Sequence, residues 1–242
     1  MEFSGKETNF RVAGGEMKVS VVIPAYNEQD AIATVVKGLP QGFVNEVIVV
    51  DNGSTDYTAV RAEEAGAHVV REPRRGYGAA CRAGLMASDE ADVIVFLDGD
   101  NSDDPAELPS LLAPIKGGQA DLVIGSRLSG SLDPAAMPSH ARLGNWLVAG
   151  ILRGAYKVRI TDIGSFRAVR KDVLLSLGME QMTFGWPVEM LVKAARRRAR
   201  IVEVPVSYRK RIGISKVSGT VKGTLFTACY MLWIPLRYVF RD

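Results

Sequence analysis

The sequence of 242 residues has little of what marks several common protein classes. Two cysteines, Cys81 and Cys229, are too few for a disulfide framework or a cysteine-based zinc site. The two histidines, His68 and His140, have no partner at the spacing of metal ligands. No Gly-x-Gly-x-x-Gly follows the first predicted strand, and no Gly-x-x-x-x-Gly-Lys-Ser/Thr loop is present. These absences argue against a disulfide-rich secreted protein, a dinucleotide-binding domain and a P-loop nucleotidase.

Hydrophobic runs of membrane-spanning length are missing too. The apolar run from Leu225 to Ile234 has ten residues, about half of what crosses a bilayer. We expect it either to form a buried final helix or, as part of an amphipathic segment over residues 219–242, to lie on a bilayer with Trp233, Tyr230 and Tyr238 at the interface. The N-terminus has no charged region followed by an apolar core, which argues against a secretory signal. Residues 1–16 are expected to be a flexible leader.

Charge is in small excess and is unevenly placed. The net charge of +3 does not by itself indicate binding to nucleic acid. From Lys193 to Lys216 the chain has nine Lys or Arg and one acid, a local charge of +8 that leaves −5 for the rest. The first five of these cations end a helical pattern and fit a solvated surface equally well. Arg209 to Lys216 surround Gly213 and Ser215, which indicates a cationic loop suited to phosphate.

Strand and helix patterns alternate from about Lys18 onward. Short, nearly continuous Val/Ile-rich runs, typical of strands buried on both faces, cover 18–25, 45–51, 67–71, 91–98 and 121–125. Helical periodicity lies between them, over 28–39, 55–65, 77–87 and 105–115. This order predicts an α/β fold over residues 17–218, a mostly parallel sheet with helices on both faces and ligands beyond the carboxyl ends of the strands.

Polar residues follow four of the five predicted strands. They lie in the ranges 24–28, 51–56, 98–100 and 125–127. Each group alone is explained by a turn or a helix cap, because Asn, Asp, Ser and Thr favour those positions. Their convergence on one edge of the sheet is not explained that way, and it indicates a binding site.

The densest group is Asp98-Gly-Asp100-Asn-Ser-Asp103-Asp104, with four carboxylates in seven residues. Two such charges about 5 Å apart repel by about 3 kcal/mol at an effective dielectric constant of about 20, so a cation is expected there. Asp98 and Asp100 are alternate residues at a strand end. They suit Mg²⁺ or Mn²⁺, which proteins hold with one or two carboxylates together with substrate phosphates.

Three segments resemble, in order and spacing, the signature series of family 2 glycosyltransferases with the GT-A fold. They are Val22-Ile-Pro-Ala-Tyr-Asn-Glu28, Asp51-Asn-Gly-Ser-Thr-Asp56 and Asp98-Gly-Asp100. The resemblance covers most of the chain from about Lys18. It implies a Rossmann-like GT-A domain and a hexosyltransferase that uses a nucleoside diphosphate sugar.

Three later segments resemble the dolichyl- or polyprenyl-phosphate sugar synthases of that family. They are Gly125-Ser-Arg127, Ser165-Phe-Arg-Ala168 and Tyr208 to Lys216. The resemblance implies transfer of a hexose from a UDP- or GDP-sugar to a polyprenyl or dolichyl phosphate, with Mg²⁺ or Mn²⁺ and with inversion.

The resemblance also implies roles for single residues. The nucleotide base and ribose are surrounded by the first turn and the acid after the second strand, here Pro24, Tyr26, Glu28 and Asp51. The metal and the donor diphosphate meet Asp98 and Asp100. The acceptor phosphate is expected at Arg127, Arg142, Ser165, Arg209 and Ser215. The residues expected to carry catalysis are Asp98, Asp100, Arg127, Arg211 and Lys216.

Two departures from the family pattern leave questions open. Asn52 stands where a second acid is common, and Asn101-Ser-Asp103-Asp104 stands where Leu-Gln is frequent, which leaves the third metal ligand unassigned. A phosphate acceptor is already ionised and needs no base. A hydroxyl acceptor would need a carboxylate, for which Asp162 and Glu189 are candidates, although Glu189 equally fits an acid in the first turn of a helix.

The sequence therefore predicts a cytoplasmic enzyme on the inner face of the cell membrane. Its expected partners are a nucleotide sugar, a polyprenyl phosphate and the membrane surface, without nucleic acid, and a homo-oligomer is left open. One alternative is a soluble GT-A enzyme acting on a small hydroxyl or phosphorylated acceptor. Another is a non-catalytic sugar-nucleotide-binding protein, against which the intact Asp98 and Asp100 argue.

Overall fold

The computed structural model describes residues 11–12, 15–213, 230, 233–235 and 237–238. Its body is a seven-stranded sheet made of β3 (Val19–Ala25), β4 (Glu46–Asp51), β5 (His68–Arg71), β6 (Val93–Phe96), β7 (Leu122–Ser126), β8 (Arg167–Arg170) and β9 (Ile201–Pro205). The strand order is β5-β4-β3-β6-β8-β7-β9, with β8 antiparallel to both neighbours and the other pairs parallel. A separate hairpin pairs β1 (Arg11–Val12) with β2 (Gly15–Glu16).

Helices cover both faces of this sheet. They are α1 (Ile32–Gly38), α2 (Thr58–Glu64), α3 (Tyr77–Ala87), α4 (Leu108–Lys116), α5 (Ser139–Tyr156), α6 (Lys171–Ser176) and α7 (Trp186–Arg196), with a 3₁₀ turn (Pro105–Glu107) before α4. The predicted mostly parallel α/β architecture is confirmed. The sequence pattern did not predict β8 or β9.

Alternate residues of each central strand enter opposite cores. On one face Val22 and Phe96 pack with residues of α3, α5 and α7, while on the other Ile23 and Val95 pack with α1 and α4. Each fully buried side chain of this kind stabilises the fold by about 1.5–3 kcal/mol. The sheet is therefore held from both sides, and its strand ends form a rigid edge.

The chain order reverses between β3 and β6. From β3 the chain runs outward to β4 and β5, and then returns to β6 on the other side of β3. A crevice outside the carboxyl ends of strands forms at such a reversal, which is where open α/β sheets bind ligands. Strand β8 runs the opposite way, so the residues that precede it reach this same edge.

The described part of the C-terminal segment is anchored in the domain. Ile234 and Tyr238 are buried in the core that contains α7. The hydroxyl of Tyr156, at the end of α5, donates to the carbonyl of Pro235, and Arg196 donates to the carbonyl of Tyr238. The expectation that Tyr238 lies at a lipid interface is wrong, because its hydroxyl reaches buried Glu189.

None of the helices in the described ranges is both long and apolar enough to cross a bilayer.

Candidate active site

The turns after β3 and β4 are joined by their own polar side chains. Asn27 adopts a left-handed conformation with φ of 52°, which Asn tolerates better than most residues. Its backbone N–H donates to the Ser54 hydroxyl at 3.0 Å, and its side-chain oxygen accepts from the Thr55 N–H at 2.8 Å. Asp51 accepts from the Ser54 N–H at 2.9 Å. The expected nucleotide residues therefore lie together, with Pro24 and Asp51 at the ends of β3 and β4, and Tyr26 and Glu28 in the turn after β3.

The structure gives a reason for Asn52, which stands where a second acid is common in the family pattern. Its side-chain NH₂ donates to the carbonyls of Glu72 and Arg74 at 2.9 and 2.7 Å, and its oxygen accepts from the Gly76 N–H at 2.8 Å. A carboxylate could not donate those two bonds. Asn52 thus holds the loop that follows β5.

That loop brings Arg75 onto Tyr26. The guanidinium carbon lies 3.6 Å from the centre of the Tyr26 ring, a stacked cation–π contact. The sequence reading did not select Arg75, although Arg74-Arg75-Gly76 follows the end of β5 just as the other polar groups follow their strands.

Asp98 lies at the end of β6, beside the start of β8. The antiparallel register pairs Phe96 with Arg167, so its continuation sets Asp98 opposite Ser165. The Ser165 hydroxyl donates to Asp98 Oδ2 at 2.8 Å and lies 3.5 Å from Asp103 Oδ2. The predicted residues Asp98 and Ser165 are thus in direct contact.

Asp98 and Asp103 each keep one oxygen without a hydrogen bond. Both Oδ1 atoms are buried, and neither has a partner among the described residues. Burial raises the pKa of Asp98, and the neighbouring charge of Asp100 adds to the effect. Burial likewise raises the pKa of Asp103 well above its ordinary value, with Asp98 adding to it. The fold therefore maintains acceptor atoms here that it does not satisfy.

Asp100 is fixed by its own turn and by an arginine. Its Oδ1 accepts from the N–H and hydroxyl of Ser102 at 3.0 and 2.6 Å, and its Oδ2 lies 2.9 Å from Arg211 Nη1. Burial opposes the charge of Arg211, but Asp100, Tyr208 and Asp98 together outweigh burial and raise the arginine's pKa.

The start of the cationic loop runs along this acidic turn. The Ile212 N–H donates to the Asp100 carbonyl and the Arg209 N–H donates to the Ser102 carbonyl, both at 2.9 Å. Arg209 Nη2 lies 3.3 Å from Asp104 Oδ1. Arg209, expected at the acceptor phosphate, and Arg211, expected in catalysis, therefore both lie beside these carboxylates. Ser215 and Lys216 lie outside the described residues.

Arg127, at the end of β7, forms a buried pair with Asp162. Its Nε and Nη2 donate to the two carboxylate oxygens at 2.8 and 2.7 Å, and its backbone N–H donates at 2.8 Å. Burial opposes the charge of Arg127, but Asp162 outweighs it and raises the pKa of Arg127. Glu203 supports the pair from β9 by accepting from the backbone N–H groups of Thr161 and Asp162, each at 2.9 Å.

Both general-base candidates are occupied by structural contacts. Every oxygen of Asp162 accepts bonds from Arg127 or a backbone N–H. Glu189 is fully buried, accepts from the N–H groups of Glu180 and Gln181, and lies 2.8 Å from Lys193 Nζ. Neither carboxylate is arranged to receive a proton from a substrate.

Arg142 holds the loop in front of α5. Its guanidinium donates to the carbonyls of Met137 and Pro134 at 3.1 and 3.2 Å. Its expected role toward an acceptor stays a prediction. The two histidines, which have no partner at metal-ligand spacing in the sequence, are exposed, and His68 lies 3.3 Å from Glu46.

The acidic turn fits a hard divalent ion. The described residues contain no cluster of three His, Cys, Asp or Glu that would hold a metal without help. Asp98 and Asp100 offer two carboxylates, one with an unsatisfied buried oxygen, which suits an ion completed by substrate phosphates. Asp103, which the sequence reading did not select, adds a third carboxylate to the same turn.

Comparisons with known proteins agree on a family. Residues 20–178 match the model of glycosyl transferase family 2. An uncharacterized glycosyltransferase of Mycobacterium tuberculosis is 40% identical over 211 residues, covering 86% of this chain and 93% of that protein. The undecaprenyl-phosphate mannosyltransferase of Micrococcus luteus is 34% identical over 221 residues, covering 86% and 90%.

A solved structure shares the fold. Glucosyl-3-phosphoglycerate synthase from Mycobacterium tuberculosis, in complex with Mn²⁺, uridine-diphosphate-glucose and phosphoglyceric acid, is similar with a TM-score of 0.77 and 25% identity, over 94% of this chain and 80% of that one. The GT-A fold predicted from the sequence is confirmed. The chain belongs to glycosyl transferase family 2 and is a glycosyltransferase.

Proposed function

We propose that this glycosyltransferase moves a hexose from a UDP- or GDP-sugar to the phosphate of a polyprenyl or dolichyl chain, with inversion and with Mg²⁺ or Mn²⁺. The observation that carries the proposal is the unsatisfied carboxylate pair of Asp98 and Asp103, which adjoins Asp100 and Arg211 at the sheet reversal. The similarity to the undecaprenyl-phosphate mannosyltransferase of Micrococcus luteus supports the choice of acceptor.

The donor nucleotide is assigned to the joined turns after β3 and β4. Pro24, Tyr26, Glu28 and Asp51 would surround the base and ribose. Their turns are locked by the hydrogen bonds of Asn27 and the Ser54–Thr55 backbone. Because these turns are already fixed, little binding free energy is lost in ordering their backbone when the nucleotide binds.

The donor diphosphate is assigned to the acidic turn. Asp98 and Asp100 would hold the divalent ion, which would supply positive charge to the leaving diphosphate as the anomeric bond breaks. Arg211 adds a guanidinium to the same place, and Lys216 is proposed to add a second cation. Such fixed charges stabilise the developing negative charge of the leaving group.

The acceptor phosphate is assigned to Arg127, Arg142, Ser165, Arg209 and Ser215. A phosphate monoester has a second pKa of about 6, so it is ionised near neutral pH and attacks without a protein base. This chemistry agrees with the full engagement of Asp162 and Glu189 in structural hydrogen bonds. We place the enzyme in the cytoplasm, at the inner face of the cell membrane, where a lipid-linked acceptor is reached.

The experiment that tests this proposal is a transfer assay. Purified protein is incubated with radiolabelled UDP- and GDP-sugars and undecaprenyl phosphate, with Mg²⁺, with Mn²⁺ or with EDTA. Label in the lipid fraction that disappears with EDTA is expected. Donor binding without metal-dependent nucleotide release would contradict the proposal and favour a sugar-nucleotide-binding protein.

A phosphorylated small molecule is the second candidate acceptor. The similarity to glucosyl-3-phosphoglycerate synthase, whose structure contains phosphoglyceric acid, favours it. The same assay with 3-phosphoglycerate in place of the lipid separates the two acceptors, because the labelled product is then soluble. A hydroxyl acceptor must also lose a proton, and the two candidate bases, Asp162 and Glu189, are occupied by structural contacts. Label transferred to the soluble acid alone would select this function.

A further inference from the structure

Helix α5 has an apolar surface on both of its sides. Val148, Ala149 and Leu152 are buried against the core. The opposite side presents, at helical spacing, residues without charge, in which the indole N–H of Trp146 is the one polar side-chain group: Leu143, Trp146, Leu147, Gly150, Ile151 and Gly154. A surface helix of a soluble domain normally has a polar outer stripe. We call these six residues the outer face of α5.

The outer face includes large side chains that are well exposed to solvent. Leu143 is 58% exposed, Trp146 59% and Leu147 39%. Single exposed apolar residues are common, but a continuous stripe of them marks an interaction surface. Trp233, which is 60% exposed, lies two residues before Pro235, the acceptor of the Tyr156 hydroxyl at the end of α5. A second exposed tryptophan thus belongs to the segment that contacts this helix.

The charges around the outer face have one sign. From residue 134 to residue 161 the sequence has four cations and no acid: Arg142, Arg153, Lys157 and Arg159. A second copy of the same face would bring these like charges together. Residues 214–229 of the chain carry Lys216 and Lys222 and no acid, so they do not complement the charge either. The charge therefore favours an anionic partner.

We propose that the outer face of α5 lies on an anionic lipid bilayer, with Trp146 at the membrane interface and Lys157 and Arg159 facing the headgroups. Exposed apolar side chains, tryptophan and flanking cations together are what binds a helix to such a surface. This inference rests on the proposed function for its purpose, because it brings the enzyme to a lipid-linked acceptor.

The same helix also supports the acceptor side of the active site. Asn145, on its inner side, donates to the Thr161 carbonyl at 3.3 Å and accepts from the Ile163 N–H at 2.9 Å. These bonds flank Asp162, the partner of Arg127. A membrane bound to the outer face would therefore lie one helix away from the residues assigned to the acceptor phosphate.

The test measures binding of the full chain to vesicles of phosphatidylcholine with phosphatidylglycerol by co-sedimentation. The double variant Leu143→Ser/Trp146→Ser is expected to lower the partition coefficient by about 10-fold or more. The matched control is Met86→Ser/Leu175→Ser, whose residues are 65% and 53% exposed on α3 and α6. It should bind as the parent does. Equal thermal unfolding of both variants verifies that they are folded.

The charge contribution is tested in the same assay. Lys157→Glu/Arg159→Glu should weaken binding by at least about fivefold per residue on anionic vesicles, and have little effect on pure phosphatidylcholine. Lys37→Glu/Arg82→Glu, at exposed cations of α1 and α3, is the control and should have a smaller effect.

Several outcomes would overturn the proposal. They are absence of vesicle binding by the parent chain, equal loss in the α5 variant and its control, and a dimer in sedimentation analysis that Leu143→Ser/Trp146→Ser dissociates. Transfer to a short-chain prenyl phosphate in vesicle-free buffer is measured in parallel. Its absence with normal vesicle binding would reject the proposed function alone, and its presence without vesicle binding would reject the lipid surface alone.

Discussion

Two regions of the molecule bury acids, and they treat them differently. In the segments before β8 and along α7, Asp162 and Glu189 have every carboxylate oxygen occupied by an arginine, a lysine, a hydroxyl or a backbone N–H. At the end of β6, Asp98 and Asp103 each keep a buried oxygen that no described residue satisfies. Burial alone therefore does not identify functional acids.

The difference separates acids that stabilise the fold from acids that await a ligand. A buried carboxylate with complete partners repays its loss of hydration through those partners. One with an open oxygen destabilises the protein until something cationic arrives. This contrast supports a structural role for Asp162 and Glu189 and the proposed ligand-binding role for Asp98 and Asp103, while Asp100 beside them has both oxygens partnered by Ser102 and Arg211.

The largest effect is expected for Asp100→Asn. It removes a charge from the proposed metal site while preserving shape, so donor turnover should fall by about 100- to 1,000-fold, or about 3–4 kcal/mol of activation free energy. Turnover is measured against Mn²⁺ concentration. Asp172→Asn is the control, because that carboxylate pairs with Arg170 on the surface and belongs to none of the proposed sites. An unchanged Mn²⁺ dependence in the Asp100 variant would refute the role.

The next effect is on stability, for Asp162→Ala. It leaves Arg127 buried without its carboxylate, and removing one partner of a buried ion pair costs about 3–5 kcal/mol. The free energy of unfolding is measured by urea titration. Asp172→Ala, which breaks the exposed pair with Arg170, is the control and should cost less than about 1 kcal/mol. Equal costs would break the contrast between the two regions.

A smaller effect on activity is expected for Arg211→Ala. Loss of its guanidinium beside the diphosphate should lower turnover by about 10- to 100-fold, while stability falls by less than the about 3–5 kcal/mol expected for Asp162→Ala, because Arg211 is partly exposed although Asp100 is buried. Steady-state rates and urea titration are compared in one preparation. Arg61→Ala, which breaks the surface pair with Asp30, is the control. Equal loss of rate and stability would indicate a structural role.

The smallest expected effect is a gain in stability for Asp103→Asn, of about 1 kcal/mol. Burial raises the folded-state pKa of Asp103 above its unfolded value, so ionisation at neutral pH opposes folding. The gain should therefore be present at neutral pH and vanish as the pH falls below about 3.9, the ordinary pKa of an aspartate, where both states are protonated. Thermal unfolding from neutral to acidic pH measures it. A loss of stability at neutral pH would contradict the unsatisfied-oxygen interpretation.

The sequence predicted the parallel part of the fold because local pattern determines it. Continuous Val/Ile runs such as Glu46–Asp51 have few other structures open to them once both faces are covered. Strand β8 was not predicted because Arg167–Arg170 is only four residues long and begins with an arginine. That arginine is buried and donates to the carbonyls of Gly164 and Pro187. Strand β9 was not predicted because Glu203 breaks its apolar run and the segment follows a stretch rich in arginine. Tertiary partners, rather than pattern, place both strands.

The site was predictable where it follows strand ends, and not where it depends on distant pairs. The acids after β6 and the turns after β3 and β4 could be found from spacing alone. The partnership of Arg127 with Asp162 joins residues 35 positions apart, and that of Asp100 with Arg211 crosses most of the second half of the chain. No local signal specifies such pairs. The sequence therefore suggested Asp162 as a general base, whereas in the structure its carboxylate holds the Arg127 guanidinium.

The reversed direction of β8 has a consequence for how this enzyme could diversify. Because that strand enters the sheet where its neighbours leave it, the connection from Arg127 to Ser165 both starts and finishes at the reacting edge. The turns assigned to the nucleotide come from an earlier, separate part of the chain. Exchange of residues 127–165 between relatives would therefore replace Arg127, Arg142 and Ser165, three of the residues proposed for the acceptor, together, and leave the turns proposed for the donor in place.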